Sequence, residues 1–225
     1  MAVITPTRDA DNALRRQVMI DTQLRPSDVT DPRVLAAFAQ IDRAVFVPDE
    51  RASMAYADRA VPLSGGRALN PALTTARMIV DLAPDSGSSV LLVGAATGYA
   101  AAVLAAMGVS VTAVEDDPAL LRHARSVLAN TSGVILIDGP MPDGTPGGGP
   151  YDAMLIEGCV EAIPAILLHQ LKDGAKVVAG MRDGAVTRIG RAARVTGDDS
   201  IALLPFADIE CVSLPGFSVP RPFQF

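Results

Sequence analysis

Histidine and cysteine are scarce in this sequence, with two of each among 225 residues. His123 and His169 lie far apart and neither has a cysteine cluster beside it, so no metal site is expected. Cys159 and Cys211 sit among apolar neighbours. They read as reduced core thiols of a cytoplasmic protein, with a single bond between them left open. Basic residues are also short: Lys and Arg number 19 against 25 Asp and Glu, a net charge of −6. No basic run offsets that balance, and a general DNA- or RNA-binding surface needs the opposite excess. The longest near-apolar stretches, around 90–107 and 153–168, are interrupted by Gly, Thr, Glu or Pro, so no membrane span is expected. Residues 1–16 lack an apolar core followed by a small-residue cleavage site, so no signal peptide is expected either. No internal repeat is visible.

What is present is apolar material, 49% of the residues with only 20% charged. That buries a sizeable core without disulfides or metal and excludes disorder over most of the chain. The length fits a single domain, 1–225. Residues 1–83 read as a helical front, with helices expected over 9–24, from Asp31-Pro32 to Gln40, over 49–56, and from Asn70-Pro71 to about Leu82, where each Asx-Pro pair is a cap followed by proline at the first helical position. From 84 to 184 the pattern alternates. Strands are expected at Ser88–Val93, Ser110–Val114, Val134–Ile137, Ala153–Ile156 and 175–180. Helices are expected at Gly98–Met107, from Asp117-Pro118 to about Asn130, and at 163–171. This is an α/β pattern, a mostly parallel sheet with helices on both faces. Residues 185–225 read as extended segments, Ala185–Val195 and Phe206–Leu214, and a tail.

The turn Val93-Gly94-Ala95-Ala96-Thr97-Gly98-Tyr99 joins the first of these strands to its helix. Such a turn presents backbone N–H groups and lets a ligand approach closely. Glu115 ends the second strand, 21 positions after Gly94, the spacing at which a carboxylate accepts both ribose hydroxyl protons. Asp138-Gly139 ends the third strand at the same edge. A dinucleotide fingerprint needs G-x-G-x-x-G, and Ala96 stands at the middle glycine. A G-x-x-x-G turn followed by an acid suits S-adenosylmethionine, which has ribose and adenine but no phosphate. The alternative stays open that Gly94 and Gly98 only permit a tight turn.

Further motifs extend over residues 16–181. Met19-Ile20-Asp21-Thr22-Gln23-Leu24-Arg25, Arg33-Val34-Leu35-Ala36-Ala37, Arg43-Ala44-Val45-Phe46-Val47-Pro48, Ala55-Tyr56-Ala57-Asp58, the Gly94 turn with the alanine-rich run after it, Pro150-Tyr151-Asp152-Ala153 and Gln170-Leu171-Lys172-Asp173-Gly174 occur in that order. Together they resemble the protein-L-isoaspartate O-methyltransferase family. The resemblance implies a Rossmann-like, seven-stranded methyltransferase sheet with an N-terminal helical segment. It implies S-adenosylmethionine as donor, with S-adenosylhomocysteine as product, and methyl transfer to isoaspartyl carboxylates of damaged proteins. The donor residues it implies are Gly94, Ala95, Ala96, Gly98, Tyr99, Glu115, Asp138 and Gly139. Asp58, Asn70 and Glu157 would face the acceptor, with Asn70 in the catalytic position. The expected partner is an isoaspartyl protein or peptide, and the expected state a monomer or small homo-oligomer.

Three positions depart from the family pattern. The acid two residues before the first glycine is Leu92. The hydroxyl residue of the family loop G-Q-T-I-S-Q-P is Asn70, which either caps the following helix or contacts the acceptor. The T-A-A after the fourth strand is Glu157-Gly158-Cys159. An ionised acceptor about 4 Å from an ionised Glu157 is repelled by roughly 4 kcal/mol at an effective dielectric of 20. Glu157 either points to solvent, pairs with an arginine such as Arg67, selects another acceptor, or binds the donor. Ala96 adds about 1 kcal/mol of strain if its φ is positive. Two rival readings follow: a non-catalytic or donor-binding homologue, and a methyltransferase with another acceptor. A nicotinamide oxidoreductase is disfavoured by the glycine spacing.

Overall fold

A computed structural model describes residues 8–183 and 186–218. Helix α1 (Arg8–Met19) runs on through a π turn (Ile20–Leu24) and a 3-10 turn (Arg25–Ser27). Pro26 and the left-handed Asp28, φ +63°, end it there. Helix α2 (Pro32–Gln40) is capped as its sequence requires, Asp31 accepting from the Arg33 amide at 2.8 Å. It buries Val34, Leu35, Ala37 and Phe38. The helix expected over 49–56 is a 3-10 turn over Asp49–Met54.

A short hairpin follows, β1 (Val61–Pro62) and β2 (Ala68–Leu69), joined through Ser64–Gly66. Helix α3 (Ala72–Leu82) starts behind Pro71, and no side chain caps it. The cap expected of Asn70 is absent because both ends of its amide are engaged elsewhere. The alternating region then gives β3 (Ser89–Val93), α4 (Tyr99–Ala106), β4 (Ser110–Glu115), α5 (Pro118–Val127), β5 (Val134–Asp138), β6 (Tyr151–Val160), α6 (Ala165–Leu168) and β7 (Leu171–Asp183). Asp117 caps α5, accepting from the Ala119 and Leu120 amides. The helix expected over 163–171 shrinks to four residues. Gln170 is drawn instead to the Asp143 and Ile166 carbonyls and to Thr145, and the chain enters β7 at Leu171. The extended C-terminal segments form β8 (Val186–Ala193) and β9 (Leu204–Asp208).

The seven strands lie in the order β5-β4-β3-β6-β7-β8-β9. The five strands from β5 to β7 are mutually parallel, and β8 and β9 add antiparallel. Both faces of the central strands are covered, which is why β3 reads as a continuous apolar run rather than an alternation. Val90 and Leu92 pack under the helices on one face, while Leu91 and Val93 join Met154, Ile156 and Val177 on the other. Leu92 is fully buried in the first layer. Burial of such a side chain stabilises by about 1.5–3 kcal/mol, so the position vacated by the family's acid is used for packing.

The strand order reverses between β3 and β6. In an open α/β sheet the ligand crevice lies at the carboxyl ends of the strands at that reversal. Among the described residues no helix is long and apolar enough to cross a membrane, and no three His, Cys, Asp or Glu side chains gather to hold a metal ion. Cys159 and Cys211 are both free and buried.

Candidate active site at the strand ends

The turn after β3 is built on positive φ angles: Gly94 at +82°, Ala96 at +48° and Gly98 at +94°. The Gly94 and Ala95 amides both donate to the Val114 carbonyl at 3.0 Å, pinning the turn to β4. Ala96 is strained by about 1 kcal/mol in this region. Its amide is held there by Glu115 Oε2 at 2.6 Å. Gly98 serves the fold: a Cβ on it would meet Leu128 Cδ1 at 2.6 Å, so its bareness lets α5 approach. Tyr99 lies inside the core. Its ring meets Phe38 and Phe46 edge-on at 5.8 and 5.5 Å between centroids, and the Arg43 guanidinium lies 4.6 Å above it.

Glu115 and Asp138 are register partners at the ends of β4 and β5. Asp138 is exposed. Gly139 donates to the Glu115 carbonyl at 3.2 Å, and a Cβ built on it meets nothing within 4 Å. Glu115 is fully buried, and its carboxylate accepts five donors. Arg67 grips it at two points, Nη1 on Oε1 at 2.5 Å and Nη2 on Oε2 at 3.0 Å. The Asp116 and Asp117 amides reach Oε1 at 3.1 Å and the Ala96 amide reaches Oε2. The pairing considered between Arg67 and Glu157 is therefore replaced by Arg67 with Glu115. Burial, and the neighbouring Glu115 carboxylate, push the Asp116 carboxyl up.

Glu157 follows Ile156 in β6, inside a bulge between Ile156 and Cys159, beyond which pairing with β7 resumes at Cys159. Its side chain does not reach solvent, contrary to one of the sequence expectations; it is buried and accepts from the Thr75 hydroxyl. Burial pushes the carboxyl up, against the Thr75 hydrogen bond and the Arg43 charge, which favour ionisation. Arg43 is itself wholly buried, donating from Nε to the Ala55 carbonyl at 2.7 Å and from Nη2 to the Asn70 carbonyl. Its Nη1, Glu157 Oε2 and the Tyr99 hydroxyl are buried with no hydrogen-bond partner among the described groups. Asn70 donates to the Glu157 backbone carbonyl at 3.1 Å and accepts from the Val212 amide at 2.8 Å. Asp58 is exposed, and no hydrogen bond or ion pair among the described residues ties it to this edge.

The segment after β9 closes the near side. The Cys159 amide donates to the Val212 carbonyl at 2.6 Å and the Leu214 amide to the Cys159 carbonyl at 3.0 Å. Leu214 then lies where Cβ atoms on Gly94 and Gly158 would sit, at 2.9 and 2.6 Å. The donor set of this edge fits an adenosine-bearing ligand: two strand-end carboxylates side by side, with open space at Gly139. Arg67 and Leu214, two of the chain's own side chains, lie over the rest of it. Sequence reasoning named Arg67 only as a partner for Glu157, and it missed Leu214, Thr75 and Arg43. Of the three missed, Arg43 carried a signal, being the arginine of the Arg43–Pro48 motif.

Comparison with known proteins agrees with the geometry. Residues 14–212 match the family described as Protein-L-isoaspartate(D-aspartate) O-methyltransferase. A protein-L-isoaspartate O-methyltransferase of Herpetosiphon aurantiacus is 35% identical over 183 residues, 80% of this chain and 81% of the relative. One of Methylorubrum extorquens is 41% identical over 177 residues, 77% of this chain and 78% of the relative. A solved protein-L-isoaspartate O-methyltransferase superposes with TM-score 0.75 at 20% identity, covering 91% of this chain and 66% of the other. A candidate protein-L-isoaspartate O-methyltransferase of Plasmodium falciparum, in complex with S-adenosyl-L-homocysteine, gives 0.74 at 17% identity, covering 89% and 97%. The two structures establish the fold. The sequence match, over most of the chain's length, establishes more: the chain belongs to the protein-L-isoaspartate O-methyltransferase family.

Proposed function

We infer that this protein is an S-adenosylmethionine-dependent methyltransferase that esterifies the free carboxylate of isoaspartyl residues in proteins. The observation that carries this reading is the register of β4 and β5, which sets Glu115 beside Asp138 next to the Gly94 turn, in a chain of this family. The donor supplies an activated methyl group on a positively charged sulfur. An acceptor carboxylate is already a nucleophile at neutral pH, so the chain need not move a proton. Its task is to hold the two reactants in line and exclude water.

Glu115 and Asp138 are placed to accept from hydroxyl and amine donors of the bound nucleoside. Gly139 leaves it room. Burial pushes the Glu157 carboxyl toward its neutral form, which weakens the electrostatic objection drawn from the sequence, since a neutral carboxyl does not repel an ionised acceptor. Asn70 acts here as a positioning residue, because its amide fixes the end of β6 against the C-terminal segment. A donor-binding homologue without turnover is the second reading, favoured by Leu92, Asn70 and Glu157 at positions where the family carries other residues. Incubation with methyl-labelled S-adenosylmethionine and an isoaspartyl peptide separates the two. Labelled methanol released by base from a methyl ester on the peptide supports the enzyme; donor binding with no methanol supports the homologue.

A further inference from the structure

The hairpin of β1 and β2 delivers Arg67 to the end of β4. Its backbone is tied into the hairpin, the Arg67 amide donating to Ser64 at 3.0 Å and the Leu63 amide to Arg67 at 2.8 Å. The turn is pressed against the start of α5, where a Cβ on Gly65 would meet Asp117 Oδ2 at 2.5 Å. The guanidinium therefore arrives at Glu115 from a fixed base, and both groups are buried.

A carboxylate offers about four lone-pair sites. The five donors on Glu115 leave none for the hydroxyl protons of a ribose. Three of those donors are backbone amides fixed by the fold, at Ala96, Asp116 and Asp117. The other two come from the Arg67 guanidinium, the one side chain of the set and the one that can leave by rotation. It also has somewhere to go. Asp116 Oδ1 lies 3.6 Å from Arg67 Nη1 on a side chain that is 39% exposed, so a short outward swing exchanges a buried carboxylate for one at the rim.

We propose that Arg67 determines donor affinity by competing with the ribose hydroxyls for the Glu115 carboxylate, releasing it toward Asp116 when the donor enters. This rests on the donor reading above. In its absence Glu115 keeps three amide donors, so the acid stays compensated and the fold survives a neutral substitution.

The test is calorimetric titration of S-adenosylhomocysteine into the full chain and into Arg67→Gln, with Arg67→Lys as a second variant that keeps the charge but grips at one point. Circular dichroism checks that each is folded. The expected result is affinity about tenfold or more tighter in Arg67→Gln, with Arg67→Lys between it and the parent. Equal affinities in all three overturn the proposal and leave the donor reading standing. Weaker binding in Arg67→Gln also overturns it, by making Arg67 a ligand contact. No binding by any of the three overturns both.

Discussion

Asn70 spans from Glu157 to Val212, donating to the backbone carbonyl of the first at 3.1 Å and accepting from the amide of the second at 2.8 Å. One buried side chain thus joins the end of β6 to the segment that lays Leu214 on Gly94. Replacing it with alanine takes the Asn70 partner from a buried carbonyl and a half-buried amide, at a cost of about 1–3 kcal/mol for a group left unsatisfied. Asn70→Ala is therefore expected to lower stability by about 2 kcal/mol or more and to speed amide exchange at Val212. Urea unfolding and hydrogen exchange read the two effects. Unchanged protection at Val212 would show that the segment is held by something other than Asn70.

The Glu157 carboxyl predicts a pH signature. Its folded value is raised above the unfolded one by burial. A group of that kind contributes fully below its unfolded value and loses that contribution as pH rises through the folded value. Glu157→Gln keeps an acceptor for Thr75 but does not titrate. The variant and the parent should melt alike near about pH 4, and the variant should gain on the parent as pH rises above that. A Tm difference that stays constant with pH would mean that Glu157 is not held neutral.

Much of this site was legible because its signals are local. The strand-end acid Glu115, the Asp117 cap and the glycine turn each lie within a few residues of what they organise. The mostly parallel α/β sheet followed from the alternation of short apolar runs and helical stretches, and its seven strands from the family resemblance. The partners were not legible. Arg67 and Glu115 are 48 positions apart, and Asn70 and Val212 are 142 apart. A cap is the local use of Asn70 before a proline. It lost to two long-range hydrogen bonds that exist only once β6 and the C-terminal segment are in place. The helix expected over 163–171 failed for a similar reason, since Gln170 is needed by Asp143, Thr145 and Ile166 rather than by a helix face.

The glycines of this edge should separate by substitution. A Cβ on Gly98 would stand 2.6 Å from Leu128 Cδ1 at a φ of +94°, whereas one on Gly139 meets nothing within 4 Å. Gly98→Ala is expected to destabilise by about 1–3 kcal/mol through strain and overpacking. Gly139→Ala should leave the urea midpoint nearly unchanged while weakening nucleoside binding. A harmless Gly98→Ala would remove the packing role assigned to that residue.

Asp152 ties β6 to the start of β3 and to β7. The Lys172 ammonium and then the Ser89 amide hold its carboxyl down at about 2. A depressed carboxylate stabilises above its unfolded value, and that contribution is lost as pH falls through the folded value. Asp152→Asn should therefore be less stable than the parent at neutral pH. The gap should close between about pH 4 and about pH 2. Urea midpoints across that range check it, and a gap that persists at the acid end would contradict the assignment.

The central claim is that the strand-end edge at β4 and β5 is where the donor binds. Asp138 tests it most cleanly, because it is exposed and its loss leaves the buried Glu115 network intact. Calorimetric titration of S-adenosylhomocysteine into the parent and into Asp138→Ala is the measurement. The account predicts binding by the parent and about tenfold weaker binding by the variant, the equivalent of one lost hydrogen bond to a charged group. A parent that binds no S-adenosylhomocysteine, or a variant that binds it as tightly, would contradict it.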